Sequence, residues 1–288
     1  MSSITIKKHN KESWIVIDFD LTIGCFYTIR QIYNIYKDMN SYTIQNPSLR
    51  SEQTYKDFKM TLQTLPETFR PMIFDFFAFT KLLKKFNYID KVILYSNNIY
   101  GKEWVDICLR FINEQLNESH TELSSITLFD EIIYSLHVEP DCEADTRRTY
   151  REKSLKDLLQ IVPNSNSKSN SNPPFIFFID DIVIPSFQNN EIIKYINVSP
   201  YTICFNIDTI CNRFSSINSN TTDPFLKDMM KELLTENLSS SLQYKTTITT
   251  DDIIQSKNLI NNLINWIELT SSIPIQTIKN EVNLPIFK

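Results

Sequence analysis

The sequence predicts an α/β protein, a Rossmann-like three-layer sandwich built around a central, mostly parallel β-sheet. Short apolar runs without alternation, typical of strands buried on both faces of a parallel sheet, alternate with longer segments of helical periodicity. Several of these runs end in aspartate or serine, and ligands bind at the carboxyl ends of the strands in such sheets. The 288 residues, of which 42% are hydrophobic, suffice for one large domain and a smaller appendage.

Five strands are expected from these apolar runs. Asp18 follows the first strand, Ser96 follows the second and Asp180 follows the fourth. The predicted strands are 14–17, 91–95, 131–135, 175–179 and, as a fifth candidate, 202–206.

Segments of helical periodicity separate the strands, and residues 1–212 are interpreted as the core domain. Within it, residues 23–68 are expected to form a small helical insertion after the first strand. The Ser/Asn-rich stretch 163–174 is expected to be a mobile surface loop. Residues 213–288 are interpreted as a helical C-terminal appendage. Helices are expected near 29–36, 51–63, 71–86, 102–116 and 155–162, and from about 223 and 251.

Composition excludes several classes of site. The chain has two glycines, Gly24 and Gly101, too few for a P-loop or a dinucleotide-binding fingerprint. Its five cysteines form no Cys-x-x-Cys pair, which predicts reduced thiols in an intracellular protein of the cytoplasm or nucleus. The net charge of −5 provides no overall positive field to recruit nucleic acid. No apolar stretch is long enough to cross a bilayer, so no membrane association is expected.

The aspartates at the strand ends are the principal site candidates. Asp18 and Asp20 are two positions apart in the sequence, so the period of a strand directs both side chains the same way. Adjacent carboxylates repel each other, and a bound cation would relieve that repulsion. Asp180 and Asp181 end another strand, and all four carboxylates are expected at one edge of the sheet. The alternative is that they are simple turn residues, but no structural role requires three convergent carboxylates.

Four sequence blocks, in this order, resemble those of the haloacid-dehalogenase-like phosphatase superfamily. They are Asp-x-Asp-x-Thr at 18–22, Ser96-Asn97 after the second strand, a lysine at a helix start, and Asp180-Asp181. The resemblance covers residues 14–181.

Two further blocks resemble the branch that dephosphorylates the C-terminal domain of RNA polymerase II, the NLI-interacting-factor-like branch. Residues 69–71 with 75–77 resemble its Arg-Pro-Gly…Glu-Phe-Leu block, and residues 154–158 resemble its Tyr-Val-Lys-Asp-Leu block. The chain departs from that branch at Met72, where the branch has glycine, and in the Ser/Asn insertion.

The resemblance implies a magnesium-dependent phosphatase that acts through an aspartyl-phosphate. Asp18 would be the nucleophile, and Asp20 the general acid and then the general base. Thr22, Ser96 and Asn97 would be substrate-binding residues, with Thr22 orienting the loop of Asp18. Mg²⁺ would be bound by Asp18, Asp20 (through its backbone carbonyl), Asp180 and Asp181.

Two lysines compete for the phosphate-binding role. Lys156 matches the polymerase-phosphatase block, whereas Lys153 suits the first turn of a helix, and Lys156 is slightly preferred. The nearby arginines 147, 148 and 151 are expected to be a solvated face, with recognition of a phosphorylated partner as the alternative.

The spacing of the blocks leaves little room for a large cap between the second strand and the basic segment. An open cleft favours phosphoserine or phosphothreonine in a protein over a free metabolite. One alternative is a phosphatase for polynucleotide 3′ ends or nucleotides, which the acidic net charge disfavours. The other is a non-catalytic binding module of the same fold. The C-terminal helices are candidates for binding a protein partner.

Overall fold

The sheet confirms the predicted α/β class. The computed structural model describes residues 11–163, 172–203, 205, 208–210, 212–213 and 246–271. Five strands form one sheet in the order β3-β2-β1-β4-β5, and every neighbouring pair is parallel. The strands are β1 (Ser13–Ile17), β2 (Lys91–Tyr95), β3 (Glu131–Ile133), β4 (Phe175–Asp180) and β5 (Ile193–Asn197).

The central strands β1 and β4 are buried along almost their whole length, as expected for continuous apolar runs. Trp14, Val16 and Phe178 contribute to a core cluster on one face of the sheet. On β4, the ring of Phe177 lies 5.4 Å from that of Trp266. Both faces of the sheet are therefore covered.

Seven α-helices have both of their ends in the described part of the chain. They are α1 (Tyr27–Thr43), α2 (Pro47–Thr64), α3 (Ile73–Lys85), α4 (Gly101–Ser119), α5 (Leu155–Ile161), α6 (Pro185–Gln188) and α7 (Thr250–Ser271). Asn46 caps α2 by accepting hydrogen bonds from two backbone N–H groups, with Pro47 in its first turn. α3 begins at Ile73, two residues after Pro71, because Met72 has a left-handed backbone with φ of 58°. None of the helices described is long and apolar enough to cross a membrane.

The chain divides into two compact units. Unit 1 comprises residues 1–22, 72–200 and 253–288, and unit 2 comprises 23–71 and 201–252. Unit 1 contains the whole sheet. In unit 2, α1 packs on α2: the rings of Tyr33 and Phe58 meet edge to face at 5.3 Å, and the hydroxyls of Tyr36 and Thr61 are 2.8 Å apart.

The fifth strand is not where the apolar runs place it. The expected strand at 202–206 lies partly outside the described residues, and β5 is formed by Ile193–Asn197. Lys194 and Asn197 interrupt the apolar character of β5, because it is an edge strand with partly exposed side chains. Most of the predicted 163–174 loop and the predicted helix from 223 lie outside the described residues, so the predicted domain boundaries stay predictions.

Candidate functional site

The topology of the sheet brings the first and fourth strand ends together. The chain runs outward from β1 through β2 to β3 and then returns to β4 on the other side of β1. The order of the strands therefore reverses between β1 and β4, and such a switch point opens a crevice for a ligand. Ile17 pairs with Ile179, and the Asp18 N–H donates to the Ile179 carbonyl at 2.9 Å. This register places Asp18 beside Asp180.

Lys153 bridges these two aspartates. Its ammonium donates a hydrogen bond to Asp18 Oδ1 and another, at 2.6 Å, to Asp180 Oδ2, and all three side chains are buried. Burial raises the pKa of Asp18 and of Asp180, and Lys153 opposes the rise. Burial alone would lower the pKa of Lys153, but the two carboxylates outweigh it and raise that pKa. The site therefore holds an ammonium between two carboxylates.

Asp20 lies in a different environment from Asp18. Its Oδ2 accepts a hydrogen bond from the Asn98 side-chain amide at 2.7 Å. Burial, together with the charge of Asp18, raises the pKa of Asp20 to about 7. After Asp20 the backbone turns through Leu21, which has a left-handed φ of 57°. A carboxyl with this pKa is a suitable proton donor near neutral pH.

Asp181, held by Thr22, completes the acidic side of the cleft. The Thr22 hydroxyl donates to Asp181 Oδ1 at 3.2 Å. Burial and the charge of Asp180 raise the pKa of Asp181. Asp180 Oδ1 accepts from the backbone N–H of Ile182 at 2.8 Å, so the loop after β4 holds this carboxylate in position.

The carboxylates of Asp18, Asp180 and Asp181 form a set of oxygen ligands that fits a hard divalent cation. One carboxylate oxygen each from Asp18, Asp180 and Asp181 can be chosen so that all three lie within 4.8 Å of one another. Carboxylate oxygens are the ligands that Mg²⁺ prefers. The position of the Lys153 ammonium shows that positive charge is accommodated there. The side chain of Asp20 is outside this group, so the metal role predicted for Asp20 is limited to its backbone carbonyl.

The residues that follow β2 are polar and lie at another side of the cleft. Ser96 is fully buried, and its Oγ accepts from the Asn98 N–H at 2.9 Å. Asn97 is exposed and lines the cleft. Its Oδ1 accepts a hydrogen bond from Arg148 Nη1 at 2.7 Å. Arg148 is only 3% exposed, in contrast to the solvated face expected for the arginine cluster.

The structure separates the two candidate lysines. Ser154 caps α5 by accepting from the Asp157 N–H, which places Lys153 just before the helix and at the aspartates. Lys156 is exposed, and its ammonium lies over the ring of Tyr150 at 5.8 Å. Lys153, and not the slightly preferred Lys156, is thus the lysine that contacts the carboxylates.

These residues surround a cleft of about 590 Å³ that belongs entirely to unit 1. Charged and polar groups form one part of its lining, and apolar residues that follow β4 form another. Ile182 and Val183 are 63% and 50% exposed. The lining consists of Asp18, Asp20, Leu21, Asn97, Glu152, Lys153, Asp180, Asp181, Ile182, Val183, Ile184 and Pro185.

Asn98 and Arg148 position other residues of the site, a role that the sequence-based prediction gives to neither. Asn98 holds Asp20, and Arg148 holds Asn97. Asn98 directly follows the Ser96-Asn97 block, so its position was a signal for it. Arg148 had no such signal, because an arginine between Arg147 and Arg151 has the pattern of a surface residue.

Together the fold and the site define a parallel α/β protein with a buried aspartate group, able to hold a metal ion, at the switch point of its sheet. The chain was compared with models of protein families, with curated proteins and with solved structures, and none of the three comparisons gives a match. The likeness to haloacid-dehalogenase-like phosphatases therefore rests on the motifs within residues 14–181.

Proposed function

We propose that this protein is a magnesium-dependent phosphomonoesterase that acts through an aspartyl-phosphate on phosphoserine or phosphothreonine of a protein. One observation carries the proposal. Asp18, Asp20, Lys153 and Asp180 converge at the ends of β1 and β4, with two carboxylates paired to one ammonium and a third carboxyl disposed to keep its proton. A nucleophilic carboxylate, a proton donor and a cation site are the groups that this hydrolysis requires.

The chemistry gives the two aspartates different roles in the same two steps. The Asp18 carboxylate attacks phosphorus, the bond from phosphorus to the leaving oxygen breaks, and Asp20 gives that oxygen its proton. Asp20 then takes a proton from water, whose oxygen attacks phosphorus, and the bond to Asp18 breaks. Inorganic phosphate leaves, and both aspartates return to their starting states.

The remaining residues bind and orient. Lys153 holds the Asp18 carboxylate and contributes positive charge where the phosphoryl oxygens gather negative charge. Mg²⁺, held by Asp18, Asp180, Asp181 and the Asp20 carbonyl, would supply the charge that offsets the excess of carboxylates. Thr22 orients Asp181, and Asn97 faces the cleft as a hydrogen-bonding group.

A protein substrate is favoured by the form of unit 1. Between β2 and β3 the chain forms α4 and a short 3₁₀ turn, Thr121–Leu123, which is too little for a separate capping domain there. The exposed Ile182 and Val183 offer apolar surface beside the aspartates. Such surface suits the residues that flank a phosphorylated side chain better than it suits a small, fully charged metabolite.

The test is hydrolysis of p-nitrophenyl phosphate with and without Mg²⁺, by wild-type protein and the Asp18→Asn variant. Asp18→Asn keeps the size of the side chain but removes the nucleophile, so turnover should fall at least about a thousandfold. Asp38→Asn, at an exposed position on α1, is the control and should leave turnover unchanged. Equal turnover by the Asp18 variant would refute the assignment of the nucleophile. A folded wild-type protein that hydrolyses neither this substrate nor phosphopeptides would favour the non-catalytic binding module.

A further inference from the structure

Arg148 belongs to the segment between β3 and α5, and its buried guanidinium lies at the end of β2. All the groups to which it donates hydrogen bonds are uncharged. Its Nη1 donates to Asn97 Oδ1 at 2.7 Å, and more weakly to the carbonyls of Tyr134 and Ser96 at 3.2 and 3.3 Å. Its Nη2 donates to the carbonyl of Arg151 at 3.0 Å. Within the described part of the chain it makes no ion pair. Burying a guanidinium without a carboxylate partner costs folding free energy. We therefore asked what the guanidinium does at this position.

The hydrogen bond to Asn97 fixes the orientation of that side-chain amide. A guanidinium has donors only, so the amide oxygen must face Arg148. The amide NH₂ group is then directed away from Arg148. Asn97 is exposed and lines the cleft, and its NH₂ group has no partner among the described residues. The cleft is thereby presented with an N–H donor and not with a carbonyl acceptor.

We propose that Arg148 is a positioning residue that locks Asn97 as an N–H donor to an anionic oxygen bound in the cleft, namely a phosphoryl oxygen. The identity of the anion rests on the proposed function. The new element is Arg148, which decides that the NH₂ group of Asn97, and not its oxygen, faces the cleft. Without Arg148, the amide could rotate and offer its oxygen, which would repel the anion.

The choice of arginine follows from geometry. A guanidinium can donate in several fixed directions at once, whereas a lysine ammonium is a single point of charge on a flexible stem. Arg148 also lies over the ring of Tyr95 at 4.9 Å, which restricts its plane. Its bond to the Arg151 carbonyl ties the β2 end to the segment that leads into Lys153. One side chain therefore connects the proposed donor to the segment that leads into the lysine at the aspartates.

The test measures the binding of inorganic phosphate by isothermal titration calorimetry in the presence of saturating Mg²⁺. Asn97→Asp keeps an acceptor for Arg148 but replaces the NH₂ group by an oxygen. Phosphate affinity should fall about tenfold to a hundredfold, because a charge-assisted hydrogen bond is lost and a repulsive oxygen is introduced. The melting temperature should not fall, since the introduced carboxylate would pair with Arg148. Asn113→Asp, the same change on α4, is the control for added charge and should bind phosphate as the wild type does.

A second pair of variants tests the role of Arg148 itself. Arg148→Lys keeps the positive charge but loses the fixed fork, so phosphate affinity should again fall about tenfold. In the Asn97→Ala background, the same change should have an effect of less than about twofold, because residues that act through one contact are not additive. Fully additive losses would mean that Arg148 acts through its field or through the fold, and would overturn the proposal.

The outcomes separate this inference from the proposed function. Phosphate binding that depends on Asn97 and Arg148, in a protein that hydrolyses no phosphomonoester, would sustain the inference and refute the enzyme. Wild-type affinity in Asn97→Asp, or no phosphate binding by the wild type, would overturn the inference even if turnover were observed.

Discussion

The two sides of the cleft differ in charge although both are built from strand ends of one sheet. At the ends of β1 and β4, Asp18 and Asp180 share the ammonium of Lys153, and the carboxylate of Asp181 lies in the same group. At the end of β2, the buried guanidinium of Arg148 is surrounded by carbonyl and amide oxygens and an aromatic ring. One side therefore has an excess of negative charge, and the other has a positive charge that no carboxylate pairs with among the residues that the structure describes.

This difference indicates what the cleft is suited to bind. The carboxylate side favours a cation, and the donor side favours an anion. A phosphoryl group next to a divalent cation carries both signs in adjacent positions and would satisfy both sides at once. A lone metabolite cation or a lone anion would leave one side unsatisfied. The comparison thus agrees with the proposed phosphatase and with the proposed role of Arg148.

Of the variants that test this difference between the two sides, removal of the Lys153 ammonium from the acidic side should have the largest effect on turnover and stability. Lys153→Met would leave Asp18 and Asp180 facing each other without compensation. We expect turnover of p-nitrophenyl phosphate to fall about a hundredfold or more and the free energy of unfolding to fall by about 3 kcal/mol. Steady-state kinetics and urea unfolding measure the two effects.

Lys156→Met is the matched control for that change. Lys156 is exposed, so its loss should change turnover by less than about twofold and stability by less than about 0.5 kcal/mol. If Lys156→Met were the more damaging variant, the arrangement of charges on the acidic side would be wrong.

A second prediction concerns the cation itself. Mg²⁺ should raise the melting temperature of the wild type, because binding to the folded state alone stabilises it. Asp180→Asn should weaken Mg²⁺ binding about tenfold or more, and Asp181→Asn should weaken it less, because Asp181 is half-buried and shared with Thr22. Asp38→Asn is the control. A wild-type melting temperature that does not change when Mg²⁺ is added would contradict a metal site on this side.

The smallest predicted effect is on stability, and it tests the segment between Arg148 and Lys153 that joins the two sides. Asp157 is fully buried and accepts hydrogen bonds from the N–H groups of Thr149 and Tyr150, between Arg148 and Lys153. Burial alone would raise the pKa of Asp157, but these bonds and the Thr149 hydroxyl hold it below its usual value of 3.8. A lowered folded-state pKa stabilises the protein above the unfolded-state pKa, and this stabilisation is lost as the pH falls through the folded-state pKa.

Asp157→Asn should therefore lower the free energy of unfolding by about 1–2 kcal/mol near pH 7. The difference from wild type should shrink as the pH falls below about 3.9, the usual pKa of an aspartate in the unfolded chain, towards the lower folded-state pKa of Asp157. Urea unfolding between pH 3 and pH 7 measures this, with Asp38→Asn as the control for loss of a surface charge. A difference that does not change with pH would mean that the charge of Asp157 contributes nothing.

The two sides also differ in how far the sequence predicts them. On the acidic side, β1 and β4 are continuous apolar runs, and each aspartate follows its strand directly. Parallel pairing then fixes their proximity. The sequence does not choose between Lys153 and Lys156, because the choice depends on the residue at which α5 begins. The Ser154 cap decides it in the structure.

On the donor side, Ser96 and Asn97 are predicted from the end of β2, but Arg148 is not. It donates to one carbonyl in its own segment and to two, of Ser96 and Tyr134, that follow other strands and come together only in the folded sheet. Hydrophobic periodicity carries no signal for such a convergence. The edge strand β5 is not predicted for a related reason: only Ile193 is buried and both Lys194 and Asn197 are exposed, so the strand is not a continuous apolar run.

The most direct test of the account is to trap the phosphoryl group on Asp18. Asp20→Asn keeps the nucleophile but lacks the base for the second step, so the aspartyl-phosphate should accumulate with p-nitrophenyl phosphate, whose leaving group needs no acid. Acid-quenched protein is digested and mapped by mass spectrometry. The account predicts one phosphoryl group on the peptide that contains Asp18, absent when Asp18→Asn is added. A protein that turns over phosphomonoesters without ever carrying phosphate on that peptide would contradict it.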